Sequence, residues 1–263
     1  MHAWAQQLDA VDALEDWALD ADLIHRYERM HERVSLNSSI HFYTPSFKAY
    51  SNPDLHCCGP RRWPAISITG GDCALACDHC HAKILEPMIP ARSPTALWEI
   101  VCQQIEAGAQ GMLLSGGSNQ RNEVEYGPYL KTVRRIKNSF PGFKIALHTA
   151  LVDRDMARRM EDAGIDAAMM DVIGAQDTVT QVYHLKRSVD DFERGLAHLV
   201  ATQMHIVPHI VLGLHYGHLL GEWQALEMVQ RHRPQALVLV VVMPHYAQPR
   251  RPYATPNAHA VGR

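Results

Sequence analysis

At 263 residues, with 47% hydrophobic and 20% charged side chains, the chain is long enough to bury one substantial α/β core. A net charge of -3 and the lack of any long Lys/Arg run argue against nucleic-acid binding. The N-terminal stretch is acidic rather than basic and apolar, and no run of about 18 apolar residues occurs, so the expectation is a soluble, cytoplasmic protein with no membrane contact.

The leader places Trp4, Leu8 and Val11, then Leu23, Tyr27, Met30 and Val34, at spacings of three and four, which predicts helix packed against the main body. Residues 41–62, "HFYTPSFKAYSNPDLHCCGPRR", read as an aromatic loop punctuated by Pro and Gly. Six short apolar runs follow and read as buried strands, at 64–70, 111–117, 143–149, 166–174, 205–215 and 236–244. Amphipathic stretches at 94–109, 127–140, 154–164, 188–203 and 221–232 separate the six. Several of these begin on Ser, Asp or Pro, and two close on Gly. Strands alternating with helices imply parallel βαβ units, hence a doubly wound sheet or a β/α barrel. Continuous Val/Ile/Leu runs suit strands buried on both faces. In either architecture functional groups sit at the carboxyl ends of the strands. After the sixth run the Pro-rich "HYAQPRRPYATPNAHAVGR" has no apolar period and reads as a disordered tail. The expected organisation is therefore a helical and cysteine-containing cover segment at 1–62, a main body at 63–244, and a disordered or truncated tail at 245–263.

Three of the six cysteines, Cys73, Cys77 and Cys80, lie within eight residues directly after the first predicted strand. In a reducing compartment such a group is more often a metal or reactive site than a disulfide pair. Thiolates select zinc, copper(I) or iron–sulfur clusters. A structural zinc would close with four ligands, His79 or His81 supplying the last, whereas an iron–sulfur cluster on three cysteines keeps one iron open.

Cys-x3-Cys-x2-Cys in the loop after the first strand of a β/α barrel resembles the radical S-adenosylmethionine (SAM) superfamily, over about residues 64–244. "LLSGGS" at the end of the second strand is similar to that superfamily's glycine-rich motif. The resemblance implies a partial (β/α)6 TIM-type barrel with an N-terminal helical extension. It implies a [4Fe-4S] cluster on Cys73, Cys77 and Cys80 whose open iron takes the amino and carboxylate groups of SAM. It places Ser115, Gly116, Gly117 and Ser118 against the SAM amino group, His79 at the position that touches adenine, and Asp171 and Gly213 among further SAM contacts.

The wider wording, "HFYTPSFKAY", "WPAISITGGDCALACDHCHAKILEPM", "GMLLSGGSN", "DVIGAQDTVTQVYHL" and "PHIVLGLHYGHLLGE", resembles the two-protein lipoyl synthases of archaea and some bacteria, which are biotin synthase-like. That implies a sulfurtransferase inserting sulfur into an octanoyl chain on a lysine of a carrier protein or lipoyl domain. The implied partners are a second radical SAM lipoyl synthase subunit and a reductant such as ferredoxin or flavodoxin. A second iron–sulfur cluster would donate the sulfur, with Cys58 and Cys57 as its candidate ligands. Cys102, in a predicted helix beside Ile100 and Val101, is expected to be a small core residue. Relatives continue beyond the sixth strand with a later cysteine, so one stably held cluster is expected here. The rival readings are biotin synthase-like sulfur insertion on a free small molecule, or a C-terminally truncated, non-catalytic iron–sulfur or zinc binder.

His148, His209 and His215 lie at or after strand ends and His184 in the loop after the fourth strand; for each a structural role outweighs a ligand role. His148 and Asp171 are the catalytic candidates. A carboxylate within the apolar "MMDVIG" must be paired or functional.

Overall fold

Helix boundaries follow local chemistry. Ser93 caps the helix Pro94–Glu106 (α1) by accepting from Ala96 N–H at 3.1 Å, with Pro94 at the first turn where its missing N–H costs nothing. Asp153 caps Arg154–Ala163 (α3) in the same way, and Gly164 ends it in the left-handed conformation that glycine adopts without strain. Ser188 and Asp191 form a reciprocal capping box on Val189–Val200 (α5). The remaining helices are Leu130–Ser139 (α2), Gln176–Gln181 (α4) and Glu222–His232 (α6). The computed structural model describes residues 62–242, 253–256 and 261, all within one compact unit, Cys58–Arg263. The predicted leader, Cys57, Cys58 and most of the 245–263 segment lie outside the described residues.

Seven parallel strands form one sheet in the order β2-β1-β3-β4-β5-β6-β7. They are Ala65–Ser67 (β1), Ile89–Pro90 (β2), Gly111–Ser115 (β3), Lys144–His148 (β4), Ala167–Asp171 (β5), His205–Leu212 (β6) and Val238–Val241 (β7). From β1 onward each major strand pairs with the next in sequence, and α1, α2, α3, α5 and α6 pack side by side in that order. The one departure is β2, two residues long and reached through a loop and a short turn rather than a crossover helix, on the far side of β1; the helices packed one on the next cover one face, and the other is the inside of a partial barrel. The two edge strands, β2 and β7, do not pair with each other, so the barrel is open.

Burial alternates along the strands. Ile145, Leu147, Ala168, Met170, Ile206 and Ile210 are at most 1% exposed and face the helices; a Cβ added at Gly195 of α5 would lie 3.3 Å from the Met170 methyl. Their alternates Ala146, His148, Met169, Asp171, Val207 and His209 are only partly buried. The continuous apolar runs suggested burial on both faces; the inner face is instead half open, because the sheet curves around a space that the described residues do not fill.

Three further differences from the sequence reading have local causes. The edge strand β2 is two residues long and ends on Pro90, too short for any alternation to register. The six-residue α4 falls in what reads as the loop after β5. Within the expected disordered tail, residues 253–256 are ordered against the loop that follows β6. The Tyr253 hydroxyl donates to Leu214 O, its ring lies 5.4 Å from that of Tyr216, and Pro256 occupies the space above Gly213. An aromatic ring and a proline bury themselves where composition alone suggested chain exposed to water.

Candidate functional site

The cysteine loop leaves the carboxyl end of β1. Cys77 is buried and Cys73 and Cys80 are partly buried; all three are free thiols. Turn hydrogen bonds from Cys80 N–H and His81 N–H to Cys77 O, at 3.2 and 2.9 Å, curl the chain so that the sulfurs approach one another. The thiols perturb each other accordingly. The Cys77 thiol is pushed far up by its contact with Cys80, then by burial and by the Cys73 charge. Cys80 is drawn down to about 4, chiefly because the Cys77 thiol donates to its thiolate. Crowded sulfurs sharing protons in this way suit a soft cationic centre, which lets every thiolate ionise. The donor set therefore fits an iron–sulfur cluster.

The glycine-rich segment after β3 is sewn to this loop. Gly117 N–H donates to Thr69 Oγ1 at 2.7 Å, and Ser118 O accepts from Ala74 N–H at 2.8 Å. A Cβ on Gly117 would lie 1.9 Å from Asp72 O and 2.7 Å from Cys73 Cα, so only glycine permits the approach. Ser115 is buried at the end of β3, and a Cβ on Gly116 would meet Ile68 at 2.8 Å. The two loops bound a cleft lined by Asp72, Cys73, Ser118, Glu123 and Glu125, among others.

A second fastening is centred on Asp78, inside the cysteine motif and 2% exposed. Its carboxylate meets His184 Nε2 at 2.7 Å and accepts from the Tyr216 hydroxyl at 2.9 Å, while its N–H donates to Val182 O at 2.9 Å. One carboxylate thus ties the cysteine loop to the loops after β5 and β6. Both partners have left-handed backbones, φ 56° at His184 and at Tyr216, a strain of about 1–2 kcal/mol each that the contact offsets.

The carboxyl ends of β4, β5 and β6 bring His148, Asp171 and His209 together on the inner face. His148 Nε2 lies 3.7 Å and His209 Nδ1 3.9 Å from Asp171 Oδ1, and the rings are 5.3 Å apart. Tyr183 donates to the other carboxylate oxygen at 3.4 Å. Burial works to raise the Asp171 carboxyl, but His148 and then the charges of His209 and His79 hold it down near 2. Burial, then repulsion by His148, lowers His209 to about 4. His79 packs on Tyr183 with ring centroids 5.0 Å apart, so the triad and the cysteine loop share one mouth.

Of the residues singled out from sequence, His79, Cys73, Cys77, Cys80, Ser115, Gly116, Gly117, Ser118, His148 and Asp171 lie around this mouth. His209 joins Asp171, and His184 serves Asp78. Gly213, φ 76°, stands just past β6, packed under Pro256 with its N–H donated to Glu222 at 2.9 Å. His215 is buried against Thr178 at 3.2 Å. Cys102 is half-buried on α1 rather than in the core, because only one face of that helix turns inward. Asp78, Tyr183 and Tyr216 escaped the sequence reading. A charge inside a cysteine motif was a visible signal for the first; the tyrosines carried none.

The family model described as the radical SAM superfamily matches residues 67–228. No curated protein matches the chain by sequence. Among solved structures it is similar to the radical SAM methyltransferase TsrM of Kitasatospora setae, at 12% identity and TM-score 0.53 over 71% of this chain and 38% of that one. It is also similar to Streptococcus suis SuiB bound to its precursor peptide SuiA, at 11% and 0.54 over 73% and 42%. The hydrogenase maturase HydG matches at 11% and 0.53 over 69% and 42%. The chain thus spans less than half the length of these three structures. With the family match covering well over half of the chain and the cysteine loop inside it, the protein belongs to the radical SAM superfamily, whose cofactors are a [4Fe-4S] cluster and SAM.

Proposed function

We propose that this radical SAM enzyme is a sulfurtransferase of lipoyl-synthase type, taking hydrogen from an octanoyl chain on a carrier-protein lysine so that a carbon–sulfur bond can form. The observation that carries this reading is the inner face: below the polar mouth, Ala146, Ala167, Met169 and Val207 leave a half-open aliphatic wall on three adjacent strands. An alkyl arm needs such a wall and little else, and the carrier domain stays outside. The resemblance of the sequence to the two-protein lipoyl synthases points the same way, and with it come a sister subunit and a ferredoxin or flavodoxin as partners.

Cys73, Cys77 and Cys80 would hold the cluster, the Gly116–Gly117 turn would bring backbone to SAM, and His79 and Asp171 would be further SAM contacts. When bound, a reduced cluster would supply the electron and SAM the radical chemistry for hydrogen abstraction. The apolar wall orients the chain and keeps water from the radical. Cys57 and Cys58 are the proposed holders of a sulfur-donating second cluster.

The test is anaerobic turnover with a deuterated octanoyl-lysine peptide. Deuterium should pass into 5'-deoxyadenosine, and Ala at Cys73, Cys77 or Cys80 should abolish it. Transfer from dethiobiotin but not from the peptide would assign the enzyme to biotin synthase-like chemistry instead.

A further inference from the structure

Three neighbouring parallel strands carry metal-type donors on the inner face: His148 on β4, Asp171 on β5 and His209 on β6, the last two directly paired in register. The donor atoms lie 3.7 and 3.9 Å apart across the carboxylate, beyond hydrogen-bond distance. One ligand atom from each of the three lies within 4.8 Å of the others, so some point sits within about 2.8 Å of all of them, against metal–ligand lengths of about 2.0–2.2 Å. The remaining closure of about 0.7 Å is available from small side-chain torsions. The groups are also partly solvent-accessible, at 30%, 30% and 17% for His148, Asp171 and His209, so an ion has a way in.

Their surroundings suit ligation. Tyr183 donates to Asp171 Oδ2, leaving Oδ1 turned to the imidazoles, the kind of outer contact that orients a ligating carboxylate. Two imidazoles and one carboxylate on one face are the donor set of catalytic zinc and of mononuclear non-haem ferrous sites.

We infer that His148, Asp171 and His209 bind one divalent first-row metal, zinc or ferrous iron, as a second centre on the inner face with coordination positions open toward the barrel interior. Those positions would take an oxygen or sulfur donor from a substrate. The site is linked to the cysteine loop through Tyr183, which contacts Asp171 by its hydroxyl and His79 by its ring. The inference does not depend on the octanoyl substrate.

The test uses cobalt(II) as the probe, added to anaerobic protein whose cysteine cluster has first been reconstituted. One equivalent should survive desalting, with the weak visible bands of nitrogen and oxygen ligation and no thiolate-to-cobalt charge transfer. Asp171→Asn, which keeps the side chain's shape, and His209→Ala should each weaken retention at least tenfold, as ligand-sphere changes do, while Cys102→Ala changes nothing. Circular dichroism and cluster iron content identify any variant that has misfolded, and the band pattern of the unaltered protein decides independently of variants. Three results would overturn the inference: no retained cobalt, retained cobalt with a thiolate band, or retention indifferent to both substitutions. If those substitutions weakened SAM binding instead, the triad would be a SAM contact and the metal site would be withdrawn.

Discussion

Replacing Asp78 by Ala removes the carboxylate that joins three loops. It deletes one contact of 2.9 Å to Tyr216 and one of 2.7 Å to His184. Hydrogen bonds to a charged group contribute about 1.5–3 kcal/mol each. His184 is 37% exposed, so its share is discounted toward the low end for solvent screening. Tyr216 keeps its second bond, 3.1 Å to Gln181 O. The expected loss is therefore about 3 kcal/mol, or roughly 6–12 °C of thermal midpoint for a domain of this size. Asp78→Asn retains an acceptor for Tyr216 and should cost about 1 kcal/mol. Thermal unfolding followed by circular dichroism, with iron measured on the same samples, reads both effects. The cysteine loop loses its tie to the loops after β5 and β6, so the Ala variant should also hold less iron than the Asn variant. A midpoint within about 2 °C of the parent, with full iron, would show that the three loops are held by something else.

Two further substitutions test the neighbouring elements. Gly117→Ala drives a methyl into backbone that cannot yield, 1.9 Å from Asp72 O, and should cost most of the bound iron and SAM cleavage; Gly71→Ala, with nothing within 4 Å, should leave both unchanged. Glu222 is 8% exposed, and burial pushes its carboxyl up to about 7. The unfolded chain releases this proton near 4.5 and the folded one near 7, so stability should fall as pH rises across that window. Glu222→Gln should flatten the fall and raise stability above about pH 7 by up to about 3 kcal/mol, read as thermal midpoints; an unchanged slope would mean that Glu222 titrates normally.

Much of the fold was legible because it depends on short stretches of chain. Six of the seven strands and α1, α2, α3, α5 and α6 come from apolar periodicity and from caps such as Ser93 and Asp153, which act within three or four residues of themselves. The cysteine motif is equally local: eight consecutive residues fix which sulfurs can meet. Sequence periodicity left a doubly wound sheet and a barrel equally open, since both have the same βαβ units. The packing of α1, α2, α3, α5 and α6 one on the next, a matter of which units lie side by side, decided for the barrel.

The set of units, their parallel sense and the three thiols at the end of the first strand each follow from contacts close along the chain. Only the tertiary structure decided who meets Asp78, whose partners are 106 and 138 residues away, and that His148, Asp171 and His209 converge. A histidine at the end of one strand carries no trace of its neighbour on the next. Strand register across the sheet, set by the packing of the whole helical layer, brings such groups within a few ångströms, and no local pattern records it.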